Sequence, residues 1–89
     1  MVFITDVKAK RIDDRIEVII TILNLAPPLF PYYSEAETDI GTREGFIGLA
    51  MPPGFSDVYR VSDRHHQASR VTARVKVLGQ TTDEKTISI

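Results

Sequence analysis

Neither cysteine nor tryptophan occurs among the 89 residues of the chain. The lack of cysteine rules out a disulfide frame, a thiolate zinc site and a cysteine nucleophile. Long hydrophobic runs are also missing: the apolar stretches fall far short of a membrane span, and no secretion signal opens the chain. Charge of one sign is not in excess, because 11 Lys and Arg stand against 12 Asp and Glu, a formal net charge of -1. That balance excludes a generally basic nucleic-acid binder and a polyacidic tail. No Gly-rich phosphate loop and no strand–turn–helix nucleophile elbow can be found, so the sequence gives no support to an enzyme.

The length suffices for one domain, 1–89, and not for two independent cores. The location is open. If Met1 is the native start, a cytoplasmic protein is expected; if the chain is a domain cut from a longer secreted protein, an extracellular one is, and absent cysteine suits both.

What is abundant is β-branched. Ile, Val and Thr make up 26 of the 89 residues, and such side chains pack better on a pleated sheet than on a helix. Residues 2–12 place Phe3, Thr5, Val7 and Ala9 on one side and Asp6, Lys8 and Lys10 on the other, the period of a strand. Asp13-Asp14 marks a turn. Residues 15–25 put Ile16, Val18, Ile20 and Ile22 on one face. The opposite face, with Ile19, Leu23 and Leu25, is apolar enough to predict a central strand.

Residues 69–78 alternate Val71, Ala73, Val75 and Val77 with Arg70, Thr72, Arg74 and Lys76. This favours a strand over the helical reading that Ala68, Val71, Val75 and Leu78 also permit. Further strands are expected at 32–40, 45–51, 57–62 and 85–89, with turns at Pro52-Pro53-Gly54 and Gly79 to Asp83. In the first of these, Ser34 and Glu37 also match a helix capping box. The expected core holds Val18, Ile20, Val71, Val75 and Val77, with Phe3 or Phe46 between the sheets.

Seven short strands with frequent turn signals predict an all-β, seven-stranded immunoglobulin-like antiparallel β-sandwich, with a small β-barrel as the alternative. The Asp6–Asn24 stretch and the Val71–Ile89 ending resemble the first and last strands of prokaryotic immunoglobulin-like accessory domains, of the CARDB and fibronectin type III kind. The Cys…Trp…Cys core of antibody domains is absent, and no tyrosine sits early in the 68–78 strand. The resemblance implies an adhesion, spacer or assembly role and seldom an active site.

The near-neutral total hides an asymmetry. Glu35, Glu37, Asp39, Glu44 and Asp57 crowd the middle, while Arg60, Arg64, Arg70, Arg74 and Lys76 follow. In the sandwich the third and sixth strands are antiparallel neighbours. This sets Glu35, Glu37 and Asp39 beside Lys76, Arg74 and Arg70 as a solvated, paired face. A stripe neutralised in this way releases few counterions, so nucleic acid is not an expected partner.

Asp63, His65 and His66 are the residues with metal-ligating chemistry. Adjacent side chains on a strand point to opposite faces, so the pair is expected in a polar turn and no metal or other cofactor is predicted. The loop Ala26-Pro27-Pro28-Leu29-Phe30-Pro31, followed by Tyr32, and the loop around Phe55 both combine proline with large apolar side chains. Leu29, Phe30, Tyr32 and Phe55 are therefore the candidate partner-binding residues, since rigid loops lower the ordering cost of binding. The alternative is that Leu29, Phe30 and Phe55 fold inward and plug the end of the sandwich.

The expectation is a non-enzymatic structural or protein–protein interaction module, a subunit of a larger assembly or one domain of a surface protein. A small ligand-binding module for carbohydrate or divalent metal is the alternative, with Tyr32, Tyr33 and Tyr59 available for stacking. The partner is a protein or a second copy, without membrane insertion. The last strand, lacking a guard proline, offers an edge for a homodimer, and the apolar loops are the other route to one.

Overall fold

The computed structural model describes residues 2–25, 30–51 and 53–89. Among the described residues there are seven strands and no helix: β1 Val2–Ile12, β2 Arg15–Asn24, β3 Phe30–Thr38, β4 Arg43–Ala50, β5 Gly54–Ser62, β6 Arg70–Val77 and β7 Gln80–Ser88. All pairings are antiparallel. They build a three-stranded sheet in the order β1-β2-β5 and a four-stranded sheet in the order β4-β3-β6-β7. The sheets keep separate edges, so the chain forms a β-sandwich and not a closed barrel.

Strict alternation along β2 generates the core. Ile16, Val18, Ile20 and Ile22 are fully buried, and the opposite face is half-covered because β2 has a neighbour on either side. From the other sheet Val71, Ala73, Val75 and Ala36 meet them, also fully buried. Val77, at the end of β6, is only partly buried.

Several expectations are corrected. In β1 the register shifts between Ile4 and Asp6. This bulge gives the strand one extra residue, so the side-chain alternation changes phase. Val2 and Ile4 face the core before it, Val7 and Ala9 after it, and Phe3 is left outside the core cluster. Phe46 lies on an edge strand, 45% exposed, with its ring 5.3 Å from that of Tyr59. The turn expected over Gly79 to Asp83 is only Leu78-Gly79, because Val77 pairs directly with Gln80. Both turn residues have positive φ, 52° and 78°, the backbone that a two-residue hairpin with right-handed strand twist requires.

One end of the sandwich is tied by polar contacts. Arg11 donates to Asp63 and, at 2.7 Å, to the Ala68 carbonyl. The Asp63 N–H donates to the Asp14 carbonyl at 2.8 Å, joining the β5–β6 loop to the β1–β2 turn. Asp39 accepts from Ser69 Oγ at 2.6 Å and from the Ser69 N–H at 2.9 Å. Along one side the β1 and β7 edges are also linked: the Ile4 N–H donates to Asp83 Oδ2 at 2.8 Å, and Thr82 Oγ1 to the Val2 carbonyl at 3.3 Å.

Candidate contact surface

On the other side lies β4, which pairs with β3 and, among the described residues, with no second strand, although its Phe46 backbone is also hydrogen-bonded to the Tyr59 hydroxyl of β5. The local shape of β4 is set by two glycines that lie against two tyrosine rings of β3. Tyr32 faces the interior and pairs with Gly48, where a Cβ would stand 3.0 Å from the ring. Tyr33 faces outward and lies over Gly45, where a Cβ would stand 2.8 Å from both the ring and the Ser34 carbonyl. Each glycine thus makes room for a ring from the neighbouring strand.

The outward face of the four-stranded sheet has a charged half and an apolar half. In the charged half Arg74 pairs with Glu37 at 2.7 Å and with Glu84 at 2.5 Å, and Lys76 with Glu35 at 3.2 Å. The Glu37 carboxyl is held below its usual range, chiefly by the hydrogen bond from Arg74. Glu35 is buried under these cations; its Oε2 lies 3.7 Å from Arg74 and 4.0 Å from Arg43 without a hydrogen bond. The expected alignment of β3 with β6 is present, and two of its three pairs form. Asp39 instead binds the Ser69 and Arg70 backbone, since the strand pairing ends before it.

The apolar half consists of Pro31, Tyr33, Ile47, Leu49 and Leu78. Ile47 is 77% exposed, Leu49 56% and Leu78 94%. Tyr33, Ile47, Lys76 and Leu78 line an open cleft whose floor includes Glu35. Leu78 combines full exposure with a left-handed backbone, an arrangement unfavourable for a branched apolar residue on both counts. β4 also has few of the guards of an edge strand, its two charged residues, Arg43 and Glu44, standing side by side at its start. It contains no proline and no lysine, and its pairing with β3 has no bulge.

The residues singled out in the sequence lie elsewhere. Tyr32 is interior, 5% exposed. Phe55 belongs to β5 and packs against the Tyr32 ring at 5.2 Å; Phe30 begins β3 and also packs on the core. Phe30 and Phe55 are thus partly buried against the core, the inward course that the plug assigned to them. Leu29 lies outside the described residues. Exposure of Ile47 and Leu49 was missed because Gly45–Met51 reads as a short strand with no indication of which neighbour it has or lacks.

Inside, a polar network spans the sheets. The Asp57 carboxyl accepts from the Tyr32 hydroxyl at 2.8 Å and from Ser34 Oγ at 2.6 Å. Tyr59 donates to the Ser34 carbonyl at 3.0 Å. Burial, with Asp57 adding to it, pushes the Tyr32 phenol well above its ordinary value; burial does the same for Tyr59 despite the opposing hydrogen bond with Ser34.

Asp63, His65 and His66 do not converge. Asp63 is buried and accepts from Arg11 and from the Gln67 and Ala68 N–H groups, at 2.9 and 3.2 Å for the latter two. Burial raises its carboxyl pKa, but these donors together hold it below the usual range. The two histidines are exposed in the loop. Among the described residues no three His, Asp or Glu side chains group to hold a metal ion, and no helix is long and apolar enough to cross a membrane.

No family model matches the chain, and no curated protein does. Among solved structures it is similar to the crystal structure of a candidate beta-galactosidase from Bacteroides fragilis, at 15% identity with a TM-score of 0.65. The match covers 99% of this chain and 17% of that one. The likeness is one of fold: an all-β sandwich that makes up a small part of a longer protein there.

Proposed function

We propose that the domain is a non-enzymatic protein-contact module, an accessory β-sandwich of the CARDB or fibronectin type III kind, and that its contact surface is β4 with the apolar half of the outward face. The placement of β4 next to β3 in a four-stranded sheet accords with a module of that kind. The observation that carries the reading is the edge position of β4, whose charged residues stop at Glu44 and which is flanked by Ile47 and Leu49 at 77% and 56% exposure. An edge with open backbone groups and apolar flanks gains main-chain hydrogen bonds and apolar burial together when a strand is added.

The test is photocrosslinking in cells, with a benzophenone amino acid placed at Ile47 or, as a control, at exposed Lys85 on β7. A discrete protein adduct from position 47 and none from position 85 is expected. Equal labelling at both positions, or none at either, contradicts the reading.

A further inference from the structure

We propose, resting on that reading, that the occupant of the β4 edge is β4 of a second copy, paired antiparallel about a twofold axis through Ile47. The two four-stranded sheets then join into one continuous sheet. The argument begins with the twofold itself. An isologous contact brings one surface against itself, so the surface must match its own reverse. Antiparallel pairing about Ile47 sets Gly45 of one copy opposite Leu49 of the other on the outward face, and Phe46 opposite Gly48 on the inward side. Small meets large at each of these positions, and Ile47 meets its own copy.

The charges permit the same register. β4 carries only Arg43 and Glu44, side by side at its start. The twofold sends them to opposite ends of the joint, where Arg43 faces Met51 and Glu44 faces Ala50. No like charges are placed opposite each other, a juxtaposition that weakens strand pairing. This axis also pairs every residue from Arg43 to Met51, whereas an axis moved by a residue or more leaves one end of the strand unpaired.

The other edges suit a second copy less well. The β1 and β7 edges are tied to each other through Asp83 and Thr82, and their pairings contain bulges between Ile4 and Asp6 and between Val75 and Lys76. The β5 edge shows exposed Arg60 and follows Pro53. The homodimer expected through the last strand is thus moved to the opposite edge of the same sheet.

The experiment uses the symmetry. Ile47→Lys and Ile47→Glu each place like charges face to face across the axis, so each variant alone is expected to sediment as a folded monomer. An equal mixture of the two is expected to recover the dimer boundary, which a structural role for Ile47 would not produce. Because the chain has no cysteine, Ile47→Cys should form a disulfide-linked dimer under mild oxidation, faster than Lys85→Cys. A wild-type chain that stays monomeric at high concentration, or a mixture that remains monomeric, overturns the proposal. If the wild type is monomeric while position 47 crosslinks a different protein in cells, the second copy is wrong and the contact reading stands. Failure of both experiments removes both.

Discussion

The hydroxyl of Tyr32 donates to the Asp57 carboxyl inside the sandwich, 2.8 Å from Oδ2 and 3.0 Å from Oδ1. It joins β3 of one sheet to β5 of the other, with Ser34 as the second donor. No guanidinium or ammonium group is hydrogen-bonded or ion-paired to this carboxyl among the described residues. The hydroxyls therefore carry its satisfaction. Removing one partner from a buried polar pair costs more than the pair contributes, because the remaining group stays desolvated. Tyr32→Phe, which keeps the ring against Phe55 and Gly48, is expected to lower stability by about 1–3 kcal/mol in urea denaturation. An unchanged midpoint would mean that Asp57 is satisfied without it.

The same burial gives an alkaline signature. The folded-state pKa of Tyr32 and of Tyr59 is raised above the ordinary 10.0. A raised folded pKa contributes stability that is complete below the unfolded value and is lost as pH rises beyond it. Stability should therefore decline above about pH 10, and these two phenols should ionise together with unfolding. Ultraviolet difference absorbance of tyrosinate against circular dichroism checks this. Ionisation of all three tyrosines while the dichroism stays native would contradict it.

On the acid side Asp39 contributes beside Glu37 and Asp63, whose carboxyls are also held low. The Asp39 carboxyl is held at about 2, first by the Ser69 hydroxyl and then by the Ser69 N–H. A depressed folded pKa contributes stability that is present above the unfolded value of 3.8 and is lost as pH falls toward the folded one. Asp39→Ala should therefore flatten the stability profile between about pH 4 and 2 relative to the parent. Equal slopes for the two proteins in urea titrations at several pH values would count against the cap.

Arg74 lies between Glu37 and Glu84 on the outward face. Reversal to Glu should destabilise modestly, and Glu37→Lys in the same molecule should restore part of the loss. The expected coupling in this double-mutant cycle is about 0.2–1 kcal/mol, the range of partly exposed cross-strand pairs. Strictly additive losses would show that the pair contributes nothing.

What was legible in the sequence follows from period two. β2 and β6 alternate without interruption, so their faces, the central place of β2 and their burial, except at Val77, could be read directly. The pairing of β3 with β6 could also be read, because opposite charges at matching spacing mark both strands. The bulge in β1 could not: nothing in Val2–Ile12 distinguishes one phase from a strand that changes phase at Thr5. The Tyr32-Tyr33 doublet shows the same limit. One ring must point in and the other out, and the choice is made by small residues on other strands, Gly48 inside and Gly45 outside. The Leu78-Gly79 turn was hidden because leucine rarely adopts a left-handed backbone. The exposure of Ile47 and Leu49 is a property of sheet order, which depends on pairings between distant segments and not on β4 itself.

The joining of two copies through β4 is tested most directly by amide chemical shifts of the 89-residue chain recorded over a dilution series. The account predicts concentration-dependent shifts concentrated in Arg43–Ala50, with smaller changes at Tyr33 and Leu78 on the same outward face. Shifts confined to Gln80–Ser88 or to the His65-His66 loop, or a spectrum that does not change with concentration, would contradict it.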